Sequence, residues 1–73
     1  MEEIKQSLKR YVEHRIEPGG FLNAVLKNDL TGALVRADHV NKHRLYEIVK
    51  YIWNELPSEC WGSSEKVEKW LSS

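Results

Sequence analysis

A single cysteine, Cys60, is all the thiol chemistry in a chain of 73 residues. It excludes an internal disulfide, and no grouping of Cys and His has the spacing of a zinc site. Charge of one sign is missing too: eleven acidic and eleven basic side chains give a formal net charge of zero. Residues 1–28 hold five basic and four acidic groups, residues 29–55 four of each, and residues 56–73 two basic and three acidic. With no basic arm, binding to a nucleic acid polymer through its phosphates is disfavoured. No apolar run is long enough to span a membrane, and Met1-Glu2-Glu3 is acidic where a secretory signal is basic and then apolar. An unpaired thiol without such a signal points to the cytoplasm. Strand patterning is absent as well, because the β-branched residues all fall at helical spacing.

What is present is amphipathic helix. Ile4, Leu8, Tyr11, Val12 and Ile16 recur at i, i+4, i+7, i+8 and i+12, one face of a helix over Glu2–Ile16 that Pro18 and two glycines end. A short helix is expected from Gly20 to Asn28, with Phe21 and Val25 facing inward, joined by Leu22 and Leu26. Asp29 caps a third, Leu30 to Ala37, whose face is Leu30, Ala33, Leu34 and Ala37. This third helix could equally continue from the second through a kink at Asn28-Asp29. Gly32 inside it lowers helix propensity by about 1 kcal/mol relative to Ala, which fits close packing. Asp38 or Asn41 caps the longest helix, which runs to about Leu56 with a core stripe of Leu45, Ile48, Val49, Ile52 and Leu56. A second stripe, Tyr46, Val49 and Trp53, broadens its apolar surface. Pro57 stops it. Ser63 opens a last helix with Val67, Trp70 and Leu71 inward. The fold class is therefore all-α, a compact bundle of four to five short helices in one domain, residues 1–73.

A domain of this size buries only about 60% of the surface its unfolded chain exposes. With no disulfide or metal to help, and with three Trp and three Tyr to cover, a homo-oligomer (dimer or tetramer) is expected to complete the core.

The step Pro18-Gly19-Gly20 into Phe21-Leu22-Asn23 leaves backbone N–H groups uncovered at the positive end of a helix, where phosphate can approach. Arg36-Ala37-Asp38 followed by Asn41 gathers a planar cation, an acceptor and an amide at a helix junction. Arginine holds phosphate or stacks on a base, and Asp or Asn reads a base edge. Trp61, in a loop bounded by Pro57 and Gly62, could stack on a nucleobase or plug the core. Each has an ordinary reading beside it: a helix-ending turn for the glycines, a surface ion pair with a cap for Arg36 and Asp38. The functional reading requires Arg36, Asn23 or Trp61 to converge on one pocket with the glycines. His39 and His43, four apart, could be half a metal site but lack a third ligand. Cys60 reads as a small buried thiol rather than a nucleophile. No metal and no cofactor are expected.

The blocks Tyr11-Val12-Glu13-His14, Pro18-Gly19-Gly20-Phe21-Leu22, Ala24-Val25-Leu26, Asn28-Asp29-Leu30, Arg36-Ala37-Asp38, Tyr51-Ile52-Trp53-Asn54, Pro57, Trp61-Gly62-Ser63 and Trp70 resemble a family of very small proteins of bacteriophages and prophages. The chain is similar to phage anti-CBASS sponge proteins, which are helical, oligomeric and sequester cyclic dinucleotide immune signals without catalysis. That resemblance implies a nucleotide ligand, with phosphates at the glycine turn, charge from Arg36 and an aromatic on a base. The ligand-binding set is then Gly19, Gly20, Phe21, Asn23, Arg36, Asp38, Asn41 and Trp61, and no enzyme is implied. The alternative is a protein-interaction module that inhibits or recruits a host protein through an exposed aromatic face of Tyr46 and Trp53. A small helix-turn-helix regulator is disfavoured by the balanced charge.

Overall fold

The computed structural model describes all 73 residues, and every regular element is helical: α1 (Glu2–His14), α2 (Gly20–Leu26), α3 (Leu30–Arg36), α4 (His39–Glu55) and α5 (Ser64–Ser72), with one 3-10 turn at Ser58–Cys60. Ile4, Leu8 and Tyr11 of α1 meet Ile48 and Ile52 of α4, Leu22 and Leu26 of α2, Cys60 and Val67 in one buried cluster. Arg44 of α4 also donates to Glu3 Oε1 at 2.9 Å, tying the two long helices at the surface. No helix is long and apolar enough to cross a membrane.

The helix ends explain the segmentation. Arg15, not the glycine pair, ends α1: it adopts the left-handed region at φ 58° and donates its N–H to Tyr11 O. The guanidinium then lies 3.8 Å from the centre of the Trp70 ring and donates to Val12 O at 2.7 Å. Ile16, expected on the core face, is therefore beyond the helix and half exposed. Asn28 is left-handed too, at φ 63°. Its N–H goes to Val25 O and that of Asp29 to Ala24 O, a Schellman closure that separates α2 from α3 and excludes a continuous kinked helix. Asp29 then caps α3 by accepting from Gly32 N at 3.0 Å, and Asp38, not Asn41, caps α4 by accepting from Asn41 N at 2.7 Å. Ser63 caps α5 in the same way through Lys66 N.

Within α2 the deepest side chains are Leu22 and Leu26, while Phe21 and Val25 pack half-buried at the edge of the core. In α3 only Ala33 is buried; Leu30 and Leu34 of the same face remain in water. A buried polar chain crosses the core. Tyr11 donates its hydroxyl to Cys60 O at 2.6 Å, and Trp70 Nε1 donates to Tyr11 O at 3.2 Å. Three remote segments (α1, the 3-10 turn and α5) are thus fixed to one another by directional bonds as well as by burial.

Candidate ligand-binding groove

Gly20 and Asn23 of α2 and Lys27, its C-cap, stand at i, i+3 and i+7 and share one face. Opposite them α3 brings Arg36 from its last turn, and Asp29 closes the end of the hairpin. These residues with Ala24 line a groove of about 150 Å³. Gly20 is there because the Arg36 side chain lies across it: a Cβ at Gly20 would stand 3.3 Å from Arg36 Cδ and 3.6 Å from Nε. Gly19 has no neighbour within 4 Å of such a Cβ, so only at the second glycine would a side chain displace a neighbour, the flexible Arg36.

Two cations, Lys27 and Arg36, and one carboxylate, Asp29, line the groove. The chain's two ion pairs both use Glu3, so Lys27 and Arg36 have no carboxylate within ion-pair distance. Arg36 Nη1 donates to Gly32 O at 3.3 Å, a long bond that leaves most of its donors free. Asp29 is already engaged as the cap of α3. Asn23 donates Nδ2 to Glu17 Oε1 at 3.0 Å, while its Oδ1 is buried without a donor. Two cations outside ion-pair distance of any carboxylate, beside the exposed Gly20 backbone, suit an anionic group such as a phosphate.

Of the eight residues singled out in the sequence, Gly20, Asn23 and Arg36 meet in this groove. Gly19 caps α2 just outside it. Phe21 turns toward the core. Asp38 and the Asn41 backbone are joined to each other at the start of α4, and Arg36 is not paired with Asp38. Trp61 lies elsewhere. The N–H of Gly62 donates to Leu26 O at 2.7 Å, which places the loop at the far end of α2, about 9 Å along the axis from Gly20. There the Trp61 ring packs edge-on to Trp53, with centroids 5.9 Å apart. Lys27 was missed by sequence reasoning, although its i+4 spacing from Asn23 and i+7 from Gly20 was a legible signal.

Outside the groove, the His39 and His43 rings pack edge-to-face with centroids 5.1 Å apart, and no group of three or more His, Cys, Asp or Glu is placed to hold a metal ion. Cys60 is fully buried and donates its thiol to Pro57 O at 3.2 Å. Burial pushes the thiol up to about 11 and the Tyr11 hydroxyl up to about 12, so both stay protonated at neutral pH.

No protein-family model, curated protein or solved structure matches the chain. The groove is therefore read from its own geometry.

Proposed function

We propose that the protein is a phage-encoded, non-enzymatic sponge that binds a cyclic (di)nucleotide signal of bacterial anti-phage defence, acting as a homo-oligomer in the host cytoplasm. One observation carries the reading: Gly20, Asn23, Lys27 and Arg36 converge on one groove whose two cations have no carboxylate within ion-pair distance. Arg36 and Lys27 take a phosphate against the Gly20 backbone, with Asn23 on the same wall of the groove. Drug-sized ligands occupy pockets of about 300–1,000 Å³. A groove of about 150 Å³ accordingly holds the phosphate and its sugar, and leaves the bases for surface beyond it. Sequestration asks for affinity and abundance only, since the free signal falls by mass action.

Thermal unfolding against cyclic di- and trinucleotides, with linear dinucleotides as controls, tests this. Ligand at about 100 times its Kd adds roughly 2.7 kcal/mol, which raises the midpoint of so small a domain by about 10 °C or more. Arg36→Ala and Lys27→Ala should abolish the shift and leave helicity intact. Flat curves across the panel reject the proposal. A second reading, a module that inhibits or recruits a host protein, is favoured by a different observation: Tyr46 and Trp53 are both about three-quarters exposed.

A further inference from the structure

Asp29 is the one carboxylate in the lining of the α2–α3 groove, and its main chain and side chain are both held. Its backbone N–H donates to Ala24 O at 2.8 Å, and its Oδ1 accepts from Gly32 N at 3.0 Å. The second oxygen, Oδ2, lies where a side chain at Gly32 would begin, and Arg36 Nη1 comes within 3.1 Å of that same point. Yet neither Arg36 nor Lys27 stands within ion-pair distance of the carboxylate, so neither neutralises it. On its other side Asp29 borders an apolar groove of about 60 Å³ beside α4, lined by Leu30 and Val49 among others and holding no cation. Glu17 accepts from Asn23 Nδ2 at 3.0 Å but does not line the α2–α3 groove.

The groove thus sets two cations against one fixed carboxylate. Attraction to such a site grows in proportion to the charge of the anion that enters, whereas the cost of taking that charge out of water grows as its square. Two cations partly offset by a carboxylate therefore favour a small negative charge over a large one. Phosphate comes in both forms. A phosphodiester carries a single negative charge, whereas a phosphomonoester, with a second pKa of about 6, carries about −1.5 to −2 at pH 7. The second charge of a monoester would meet Asp29 rather than a further cation.

We propose that Asp29 is the specificity-determining residue of this groove, setting it for a phosphodiester and against a phosphomonoester. The inference deepens the nucleotide reading and rests on it only in taking phosphate as the occupant. The site then holds a phosphate that bridges two sugar oxygens and turns away one that ends a chain, as in a nucleoside monophosphate. Discrimination of this kind is achieved by an unfavourable contact with the wrong ligand, not by a further contact with the right one. It also gives Asp29 a second role beside capping α3: the bond to Gly32 N that satisfies the helix is the bond that keeps the carboxylate at the groove.

Backbone amide shifts of Gly20, Lys27 and Arg36, followed by NMR at low ionic strength, read the preference between a cyclic mononucleotide and the linear monophosphate of the same nucleoside. The wild type should bind the cyclic ester about threefold more tightly or better. Asp29→Asn removes the charge and keeps the cap, since asparagine caps a helix as well as aspartate. It should tighten the monophosphate about ninefold and the cyclic ester about threefold, because a dianion feels the carboxylate twice over, and so reduce the preference about threefold. Asp29→Ser, another good cap, should change the ratio in the same way. Glu17→Gln makes the same change in net charge outside the groove and should leave the ratio as it was. A wild type that prefers the monophosphate, or that binds neither ester at millimolar concentration, would overturn the proposal. So would a ratio that Asp29→Asn and Asp29→Ser leave unchanged, or that Glu17→Gln changes equally. A thermal shift with a cyclic dinucleotide beside an unmoved ratio would refute this inference and leave the sponge reading standing; discrimination by Asp29 without any dinucleotide shift would do the reverse.

Discussion

Gly32 is the third residue of α3, and its lack of a side chain gives the capping Asp29 carboxylate the place it occupies. A Cβ built there stands 2.7 Å from Asp29 Cγ and closer still to Oδ2, with Arg36 Nη1 at 3.1 Å. In its present rotamer the carboxylate cannot keep its bond to the Gly32 amide and make room for a methyl group, although Asp38 makes the same cap to Asn41, which carries a Cβ. Two opposed effects therefore act on Gly32→Ala. Losing an aspartate cap costs about 1 kcal/mol, within a range of about 0.5–2, and replacing glycine by alanine inside a helix returns up to about 1 kcal/mol. The single substitution should be close to neutral. In an Asp29→Ala background there is no cap left to displace, so the same substitution should stabilise by nearly the full propensity gain. A double-mutant cycle by thermal unfolding at fixed protein concentration should then give a coupling of about 1 kcal/mol, a gap of about 4–8 °C between the two effects of Gly32→Ala. Equal stabilisation by Gly32→Ala in both backgrounds would refute the reasoning, since Asp29 would then keep its cap in another rotamer.

Gly19→Ala should leave stability and any nucleotide-induced shift unchanged, because nothing stands within 4 Å of the added Cβ; Gly20→Val should push Arg36 aside and remove the shift while circular dichroism stays helical. Tyr11→Phe strips the only hydroxyl donor from the buried Cys60 carbonyl and should cost about 1–3 kcal/mol in urea unfolding. Stability should decline with alkaline pH: Tyr11 is raised from 10.0 to about 12 and Cys60 from 9.0 to about 11, so above pH 9 the unfolded chain sheds protons that the folded chain retains. The contribution of these groups is complete below pH 9 and is lost as pH passes through 11 and 12; a flat profile from pH 9 to 12 would contradict it. Cys60, fully buried, should react with a thiol reagent only at the rate at which the protein opens, and fast stoichiometric labelling of the native protein would place it at the surface instead.

Periodicity made the all-α class and the two long helices legible, because hydrophobic spacing reports directly on which face is buried. The caps at Asp29, Asp38 and Ser63 were legible for the same local reason: a short side-chain oxygen satisfies an amide three residues on. One boundary and one helix face were not. α1 stops at His14 because Arg15 takes a left-handed conformation, which an arginine adopts here while held over Trp70, a residue 55 positions away that local pattern cannot sense. The spacing puts Leu30, Ala33, Leu34 and Ala37 on one face of α3, yet only Ala33 of them is buried within the helix. In the groove the sequence pointed to Gly20, Asn23 and Arg36, whereas Trp61 depends on the loop's bond to Leu26, a tertiary contact with no sequence signature.

The sparse burial of α3 connects the two surfaces of the molecule. This helix has seven residues, too few to be stable alone in water, and only Ala33 anchors it in the core. What holds it otherwise is local: the Schellman closure at Asn28, the Asp29 cap and the packing against α2. Its C-terminal turn carries Arg36 to the α2 groove, while Leu30 at its start rims the apolar groove beside α4. Covering Leu30 would add apolar burial to a helix that has little, and an anion in the α2 groove would give Arg36 the ion-pair partner it lacks. Both events order the same seven residues, and the second to occur finds part of the ordering entropy already spent by the first. Amide exchange along α3 should therefore be the fastest of the five helices in the free monomer, and should slow on assembly before any ligand is added.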